Sequence, residues 1–326
     1  MADLLLDIDA LRITFQGANG PIEAVRSASL AVHQGETVAI VGESGSGKST
    51  LAKALIRQNQ PPFTPLRTRI EGRAILRGKH GPQDLVTVSP AEMRRIRASR
   101  IAMISQDALS GLNPVIAVGR QVAEALRAAD AGMTARDRRD RVVQLLDEVG
   151  LPEPEEIAGR YPHQLSGGQR QRIMIAMAVA RNPSLIIADE PTTALDVTVQ
   201  ARILRLLKAE QEKTGAAVIF ITHDLGVVAR VADRVAVMYA GQIVEVAPVR
   251  EFLRSPRHPY TAGLLASVPG TKSTHPRLKG YAPEPKAIPQ GCAFRPRCTL
   301  AGVDCLSAPP VAGQADRQVR CWRVAA

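Results

Sequence analysis

The chain has 326 residues, a length that suits one large core plus an appended segment. Hydrophobic residues make up 45% of it and charged residues 22%, as is ordinary for a globular protein. The longest unbroken apolar run, residues 173–180, is far shorter than the roughly 20 residues that span a bilayer, which excludes a membrane-spanning helix. A net charge of +11 predicts attraction to polyanions, whether nucleotides, nucleic acids or anionic membrane surfaces.

The first residues of the sequence argue against export. Residues 1–11 hold three aspartates and no basic residue. A secretory signal instead begins with positive charge before its apolar stretch. We therefore expect the chain to lie in the cytoplasm.

Apolar patterning predicts an antiparallel start followed by alternating strands and helices. Residues 4–15 and 22–32 alternate or cluster apolar residues, which predicts two paired strands. The later predicted elements are a strand at 37–41, a helix at 49–57, a strand at 101–104, a helix at 138–149, a strand at 185–188, a helix at 197–213 and a strand at 217–221. This alternation is typical of an α/β fold with a largely parallel sheet.

Two stretches depart from that alternation. Residues 90–164 carry helical periodicity and few strand signals, which predicts a helical insertion. After residue 250 prolines and glycines become frequent, periodicity fades, and all four cysteines follow between Cys292 and Cys321. We predict a separate tail module there.

The sequence GESGSGKS at residues 42–49 fits the P-loop pattern, and it follows a predicted strand and opens a predicted helix. Its glycines let backbone N–H groups surround phosphate oxygens. Lys48 would reach the β- and γ-phosphates, and the Ser49 hydroxyl would hold Mg²⁺. The predicted nucleotide-binding residues here are Gly42, Glu43, Ser44, Gly45, Ser46, Gly47, Lys48, Ser49 and Thr50.

A second site element is the apolar strand at 185–188, which runs into two carboxylates. The carboxyl end of this strand should lie at the same sheet edge as the P-loop. Asp189 would bind Mg²⁺, directly or through water. Glu190 would orient and deprotonate the water that attacks the γ-phosphate.

The sequence LSGGQ at residues 165–169 precedes a helical run and, together with the P-loop, resembles the ABC ATPase family. The resemblance covers about residues 4–250. It implies a P-loop NTPase core with an antiparallel β subdomain and a helical subdomain, and a second anion site at the helix start. That second site would bind the γ-phosphate of ATP held by a partner's P-loop through Ser166, Gly167, Gly168 and Gln169.

Three further pieces stand where this family has functional residues. They are Gln106 in Ile-Ser-Gln-Asp, Asp196 at the end of the turn Thr193-Ala194-Leu195-Asp196, and His223 in Ile-Thr-His-Asp. The resemblance implies that Gln106 touches Mg²⁺ and the membrane partner. It also implies that Asp196 contacts the opposite subunit and that His223 hydrogen-bonds the γ-phosphate.

One family feature is not matched. ABC ATPases stack adenine on an aromatic side chain upstream of the P-loop. The only aromatic residue before Gly42 is Phe15, which lies far upstream. The sequence therefore does not identify the residue that stacks on adenine.

Several segments are similar to the D-type ATPase subunit of dipeptide and oligopeptide importers. They are YPHQ at 161–164, IMIAMA at 173–178, DEPTTALD at 189–196, GLNP at 111–114 and SPRHPYT at 255–261. The resemblance implies an ATPase domain at 1–250, with its helical subdomain at about 90–168, and a C-terminal extension at 251–326. It implies ATP hydrolysis coupled to peptide uptake, at the cytoplasmic face of the inner membrane.

The same resemblance implies partners. They are an F-type ATPase subunit in a heterodimer, two transmembrane permease subunits and an extracytoplasmic solute-binding protein. Nickel and other small solutes stay open as cargo, because selectivity should lie in the other subunits.

The cysteines are spaced C-x5-C-x6-C-x15-C, as Cys292, Cys298, Cys305 and Cys321. Disulfides are disfavoured in a cytosolic protein, so the functional hypothesis is that the four cysteines bind a metal ion or a metal cluster. Zinc modules more often have paired C-x2-C knuckles. Some relatives of the importer type bind a [4Fe-4S] cluster through such a tail, which favours that reading over zinc and over four free thiols. Since none of the four lies near the nucleotide motifs in sequence, we predict a structural or docking role.

Two rival functions are weighed against transport. Nucleic-acid-associated ABC ATPases would suit the net charge of +11, but the long coiled-coil insertions or second cassettes that they carry are absent from this sequence. A regulatory module without turnover would have lost the P-loop lysine or the base. Lys48 and Glu190 are both present.

Overall fold

In the computed structural model the described residues are 3–17, 20–60, 64, 67–78, 81–107, 111–192, 195–268, 276–314 and 316–324. Their strands are β1 (Leu4–Gly17), β2 (Gly20–His33), β3 (Thr37–Val41), β4 (Arg67–Leu76), β5 (Gln83–Asp84), β6 (Ile101–Ile104), β7 (Leu185–Asp189), β8 (Ala217–Ile221), β9 (Arg234–Tyr239), β10 (Gln242–Pro248), β11 (Val311–Gln314) and β12 (Arg317–Arg320). Their helices are α1 (Lys48–Leu55), α2 (Pro90–Ser99), α3 (Val118–Ala129), α4 (Ala135–Glu148), α5 (Pro154–Gly159), α6 (Gly167–Ala180), α7 (Val197–Thr214), α8 (Leu225–Val231), α9 (Val249–Arg254) and α10 (Pro259–Ala266). None of these helices combines the length and apolarity that crossing a bilayer requires.

The first sheet is antiparallel, with strand order β2-β1-β4-β5. Strand β1 pairs with β2 on one side and β4 on the other. Its inward side chains, among them Leu6, Ile8 and Ile13, are almost fully buried because this sheet covers one face of the main core. The predicted antiparallel pair is confirmed.

The second sheet holds the site, with strand order β11-β12-β10-β9-β3-β8-β7-β6. The pairs from β9 through β3, β8 and β7 to β6 are parallel. Every residue of β3, β7 and β8 is buried, as expected for parallel strands covered on both faces. The predicted parallel α/β sheet is confirmed, and its P-loop strand β3 lies between β8 and β9.

The predicted helical insertion begins later along the chain than residue 90. Met93 and Ile96 of α2 pack into the core beneath the antiparallel sheet. Strand β6 is the edge strand of the main sheet. In the helical layer α3 and α4 pack on α6, and α5 packs on α3 and α4, with Val122 and Leu145 in its core. Residues 90–164 have few strand signals in their sequence. For that reason the sequence did not show that α2 and β6 lie with the sheets.

The tail, predicted as a module of its own, is joined to the main sheet. Strand β12 pairs with β10, placing Glu245 opposite Val319. Phe294 of the tail packs edge-on against Tyr239 of β9, with ring centroids 5.3 Å apart. The sequence of the tail has little aliphatic periodicity. The tail is instead ordered by strand pairing with β10 and by aromatic rings that pack against rings of the core.

Buried polar groups fix the start of α10. Glu245, 2% exposed, accepts backbone N–H groups of Arg257 and His258, each at 2.8 Å. His258 Nδ1 accepts the N–H of Tyr260 at 3.0 Å. Burial lowers the pKa of His258 to about 4, so the ring is neutral at physiological pH and serves as an acceptor.

Candidate nucleotide-binding site

Two glycines of the P-loop sit where no other residue fits. Gly42 has φ +152°, and a Cβ there would lie 2.1 Å from the carbonyl oxygen of Met238. Gly47 has φ +102°, and its Cβ would lie 2.6 Å from the oxygen of Ala24. The loop between β3 and α1 is therefore packed against neighbouring backbone at both glycines, which leaves no room for a side chain there.

Lys48 is held inside this loop. Its Nζ donates to the carbonyl oxygens of Gly42 and Glu43, each at 2.8 Å, and lies 3.4 Å from Ser46 Oγ. Burial lowers the pKa of Lys48, and the nearby carboxylates oppose that shift. The ammonium group is thus placed in advance in the position from which it can meet phosphate oxygens.

Ser49 and Asp189, two of the residues predicted to bind Mg²⁺, contact each other directly. Ser49 Oγ donates to Asp189 Oδ1 at 2.9 Å, joining the first turn of α1 to the end of β7. Burial raises the pKa of Asp189, while the hydrogen bond from Ser49 opposes the shift. Two hard oxygen donors at one place are what Mg²⁺ binds together with nucleotide phosphates.

The side chain of Glu190 lies between those of Gln106 and His223, which were also predicted to belong to the site. Its Oε2 accepts from Gln106 Nε2 at 3.1 Å, and its Oε1 lies 3.2 Å from His223 Nδ1. The backbone of Glu190 has φ +49°, a left-handed conformation that costs a non-glycine residue free energy. The backbone N–H of Glu190 donates to the oxygen of Ile221, which holds this turn in place.

These groups converge because the parallel strands β3, β6, β7 and β8 end at one edge of the sheet. They face a cleft of about 620 Å³. The cleft is lined by Ala24, Val41, Gly42, Glu43, Ser44, Gly45, Gly47, Lys48, Ser49, Thr50, Gln106, Glu190, His223, Leu225, Leu264 and Pro285. The predicted residues Ser46 and Asp189 do not line the cleft and are 3% and 2% exposed.

The LSGGQ sequence lies apart from the cleft, with Leu165 buried and Ser166 and Gly167 exposed. None of residues 165–169 lines the cleft. Ser166 caps α6: its Oγ accepts the Gln169 N–H at 3.2 Å, and Gln169 Oε1 accepts the Ser166 N–H at 2.9 Å. Ser166 and Gly167 are exposed, Gly168 follows them in α6, and a side chain at Gly167 would meet no atom within 4 Å. The helix start is therefore open to a ligand from outside the chain.

Asp196 is also apart from the cleft. It is exposed and caps α7, accepting the N–H of Val199 at 3.0 Å. Thr193 and Ala194 of the same predicted turn lie outside the described residues. Asp196 thus has a local structural role, and its predicted contact with an opposite subunit stays a prediction.

Phe15 does not reach the nucleotide. It is partly buried against the core under the antiparallel sheet and does not line the cleft. Among the described residues, no Phe, Tyr or Trp side chain lines it. The apolar contacts available to a base come from aliphatic side chains such as Ala24 and Leu264.

The tail approaches the nucleotide cleft, which sequence distance did not reveal. Leu264 and Pro285 line it. Arg297, next to Cys298, hydrogen-bonds the carboxylate of Glu43 in the P-loop. Cys298 therefore adjoins a residue that contacts the P-loop, although the cysteines lie far from the nucleotide motifs in sequence. No local sequence signal marks Arg297 as a P-loop contact.

The four cysteines gather in one part of the tail as free thiols. The Cys292 N–H donates to the Cys305 carbonyl oxygen at 3.0 Å, and each of Cys292, Cys298 and Cys321 interacts electrostatically with Cys305. Burial raises the pKa of Cys292, Cys298 and Cys321, which favours protonated thiols. In the described part of the chain, no three His, Cys, Asp or Glu side chains form a group that could hold a metal ion.

Comparisons with known proteins match this architecture. The profile of the ABC transporter family matches residues 25–193, and that of the oligopeptide/dipeptide transporter C-terminal region matches residues 244–305. A protein of Brucella ovis, provisionally named a peptide import ATP-binding protein, is 47% identical over 321 residues, which are 94% of this chain and 93% of that protein. The oligopeptide transport ATP-binding protein OppD of Bacillus subtilis is 45% identical over 324 residues, which are 98% of this chain and 88% of that protein.

Solved structures agree. The dimeric ATP-binding cassette MJ0796, in a post-hydrolysis state bound to ADP and Pi, is 30% identical with a TM-score of 0.65, covering 76% of this chain and 99% of that one. The protein cbiO1 of Clostridium perfringens, part of the ABC transporter complex cbiONQ, is 27% identical with a TM-score of 0.59, covering 78% of this chain and 92% of that one. The chain therefore belongs to the ABC transporter ATP-binding family, as an ABC ATPase that carries the oligopeptide/dipeptide transporter C-terminal region.

Proposed function

We propose that this ABC ATPase powers the import of dipeptides or oligopeptides through separate membrane subunits. The proposed class of cargo rests on the C-terminal region, because residues 244–305 match the profile of the oligopeptide/dipeptide transporter C-terminal region. The relatives named for peptide import and oligopeptide transport are 47% and 45% identical to the chain over alignments that span both of its parts, which supports the same cargo.

Uptake experiments test this cargo. Cells that lack the chain should lose uptake of a labelled dipeptide or tripeptide, and expression of the wild-type chain should restore it. The Glu190→Gln variant should not restore uptake, whereas Glu212→Gln, on the exposed face of α7, should. Peptide uptake that persists while nickel uptake disappears would instead support a nickel importer with the same motor.

The site residues have distinct proposed roles in hydrolysis. The P-loop N–H groups and Lys48 would bind the β- and γ-phosphates, and Ser49, Gln106 and Asp189 would hold Mg²⁺. Glu190 accepts the proton of the attacking water, because its carboxylate lines the cleft in which the nucleotide would bind. His223, 3.2 Å from that carboxylate, orients it and donates a hydrogen bond to the γ-phosphate.

A complete site needs two chains. None of residues 165–169 lines the cleft, which supports the proposal that Ser166 to Gln169 serve a cleft on another subunit. The start of α6 offers free N–H groups and partial positive charge to a γ-phosphate there. We propose that the partner is an F-type ATPase subunit that forms a heterodimer with this chain.

The proposed complex also contains two transmembrane permease subunits, with an extracytoplasmic solute-binding protein delivering cargo. The chain would then lie peripherally at the cytoplasmic face of the membrane. Its net charge of +11 suits a surface of anionic lipid. No feature of the nucleotide cleft calls for nucleic acid.

For the tail, we propose that the cysteines bind one [4Fe-4S] cluster. Four thiols within electrostatic range of one another supply the donor set that such a cluster takes. Among the described residues no three such side chains already form a group that could hold a metal ion, so the thiols would have to move together to bind either a cluster or zinc. A bound cluster would also overcome the raised thiol pKa values, since ligation holds cysteines as thiolates.

The cluster proposal predicts a defined composition. Anaerobically purified protein should contain about four irons and four acid-labile sulfides per chain, with little zinc. The Cys298→Ser variant should lose most of both and loosen the tail, seen as faster proteolysis after residue 250. Thr299→Ser, at the exposed neighbouring position, is the control. Four titratable thiols in well-folded protein without iron or sulfide would refute the cluster.

A further inference from the structure

The tail contacts the second residue of the P-loop at two points. Arg297 binds the carboxylate of Glu43 through both terminal nitrogens, Nη1 to Oε2 at 2.6 Å and Nη2 to Oε1 at 2.9 Å. The backbone N–H of Glu43 donates to Tyr260 Oη at 2.8 Å. Residues more than 200 positions away thus fix both the side chain and the backbone of Glu43. Bidentate pairing of this kind specifies geometry as well as charge.

Both tail groups are themselves rigidly placed. The Arg297 side chain is 6% exposed, and its Nε and Nη2 also donate to the carbonyl oxygens of Lys279 and Gly280. Tyr260 is fully buried, with its ring centroid 4.5 Å from that of Tyr239. The contacts with Glu43 therefore come from packed parts of the fold, not from surface side chains that sample many rotamers.

Glu43 in turn contacts the residue that meets phosphate. Its carbonyl oxygen accepts from Lys48 Nζ at 2.8 Å and from the Ser46 N–H at 3.2 Å. A shift of Glu43 would therefore move two groups of the phosphate-binding loop. The path from Arg297 through Glu43 to Lys48 consists of direct hydrogen bonds.

Charge gives the pair a second effect. Glu43 lines the cleft, and an unpaired carboxylate there would repel the phosphates of ATP. The hydrogen bonds to Glu43 raise the pKa of Arg297 against the effect of burial, so the guanidinium is permanently charged. Arg297 thus offsets the negative charge of Glu43 at the place where the nucleotide is to bind.

We propose that Arg297 and Tyr260 are positioning residues of the nucleotide site, so that the affinity for ATP depends on the C-terminal tail. The proposal rests on the assignment of residues 42–50 to ATP binding. It adds to that assignment a requirement for residues that lie outside the ATPase motifs.

The test measures ATP dissociation constants of the full-length chain. Arg297→Gln should weaken ATP binding about tenfold, because it removes the hydrogen bonds that position Glu43 in the P-loop and leaves the Glu43 carboxylate unpaired. In the assembled transporter this should raise KM for ATP with little change in kcat. Tyr260→Phe, which removes only the hydroxyl, should weaken binding in the same direction. Arg323→Gln, at a tail arginine paired with Asp304, is the control and should bind ATP normally.

A double variant separates positioning from general loss of structure. If the unpaired charge opposes ATP, adding Glu43→Gln to Arg297→Gln should restore most of the affinity. If the pair were merely structural, the two losses would add, and that result would overturn the proposal. An ATP affinity of the Arg297→Gln variant within twofold of wild type would also overturn the proposal. An equal loss of ATP affinity in the Arg323→Gln control would overturn it too.

Two further comparisons keep the result interpretable. Should Arg297→Gln unfold, as judged by its thermal transition, Arg297→Lys and Tyr260→Phe carry the test, and normal ATP affinity in both would refute the proposal. Lys48→Ala should bind ATP weakly. If Lys48→Ala binds like wild type, the nucleotide assignment itself fails. If only the Lys48 variant is impaired, the nucleotide assignment stands and the role of the tail is refuted.

Discussion

Replacing Glu190 by glutamine should reduce ATP hydrolysis in the assembled transporter by about 10²- to 10⁴-fold, the usual contribution of a general base. The amide has nearly the same size and can still contact Gln106 and His223, but it accepts no proton from water. ATP binding should persist, because the loop around Lys48 is unchanged. Single-turnover hydrolysis and ATP affinity, measured side by side, check this expectation.

The matched control is Glu212→Gln, which makes the same chemical change at an exposed position of α7. It should leave turnover unaltered. Near-normal hydrolysis by the Glu190 variant in the assembled complex would remove Glu190 from the role of base. The left-handed backbone at Glu190 would then have to be explained by the turn alone.

The second large effect is expected at the start of α6. Gly167→Asp should leave ATP binding by the isolated chain intact, since residue 167 does not line the chain's own cleft. In the assembled complex it should lower turnover by about 10²-fold or more, the scale for losing a donor to developing charge. The added carboxylate would occupy the helix start and repel a partner's γ-phosphate.

Gly167 allows a clean version of this experiment. A new Cβ there meets no atom within 4 Å, so folding should be unaffected. Gly167→Asn adds nearly the same volume without charge and should lose much less activity. The split-site mechanism also predicts that the isolated chain hydrolyses ATP poorly and gains activity from the other subunits. Full activity in a demonstrably monomeric sample would contradict it.

Much of the site could be predicted because it follows from local sequence order. The P-loop follows β3, and the two carboxylates stand at the end of β7; both strands are short, apolar and recognisable by themselves. Parallel strands must end at one sheet edge, so the convergence of Lys48, Glu190 and His223 needed no long-range information. The capping box at Ser166 and Gln169 is likewise readable from spacing alone.

The tail contacts could not be predicted, because they depend on packing between distant segments. Arg297 and Glu43 are 254 positions apart, and neither residue type signals the other. Strand β12 has only four residues and little hydrophobicity, so its place beside β10 follows from the sheet edge available there. The start of the helical layer was misplaced for a similar reason: the environment of α2 is set by the antiparallel sheet above it.

The distance along the chain between Glu43 and Arg297 also orders events during protein synthesis. At about 5–20 residues per second, Arg297 is made roughly 13 to 50 s after Glu43, since 254 residues separate them. Strand β12, which pairs with β10, is made later still. The ribosome therefore releases the phosphate-binding loop well before the arginine that holds it, and the nucleotide cleft reaches its final form only as synthesis of the tail is completed.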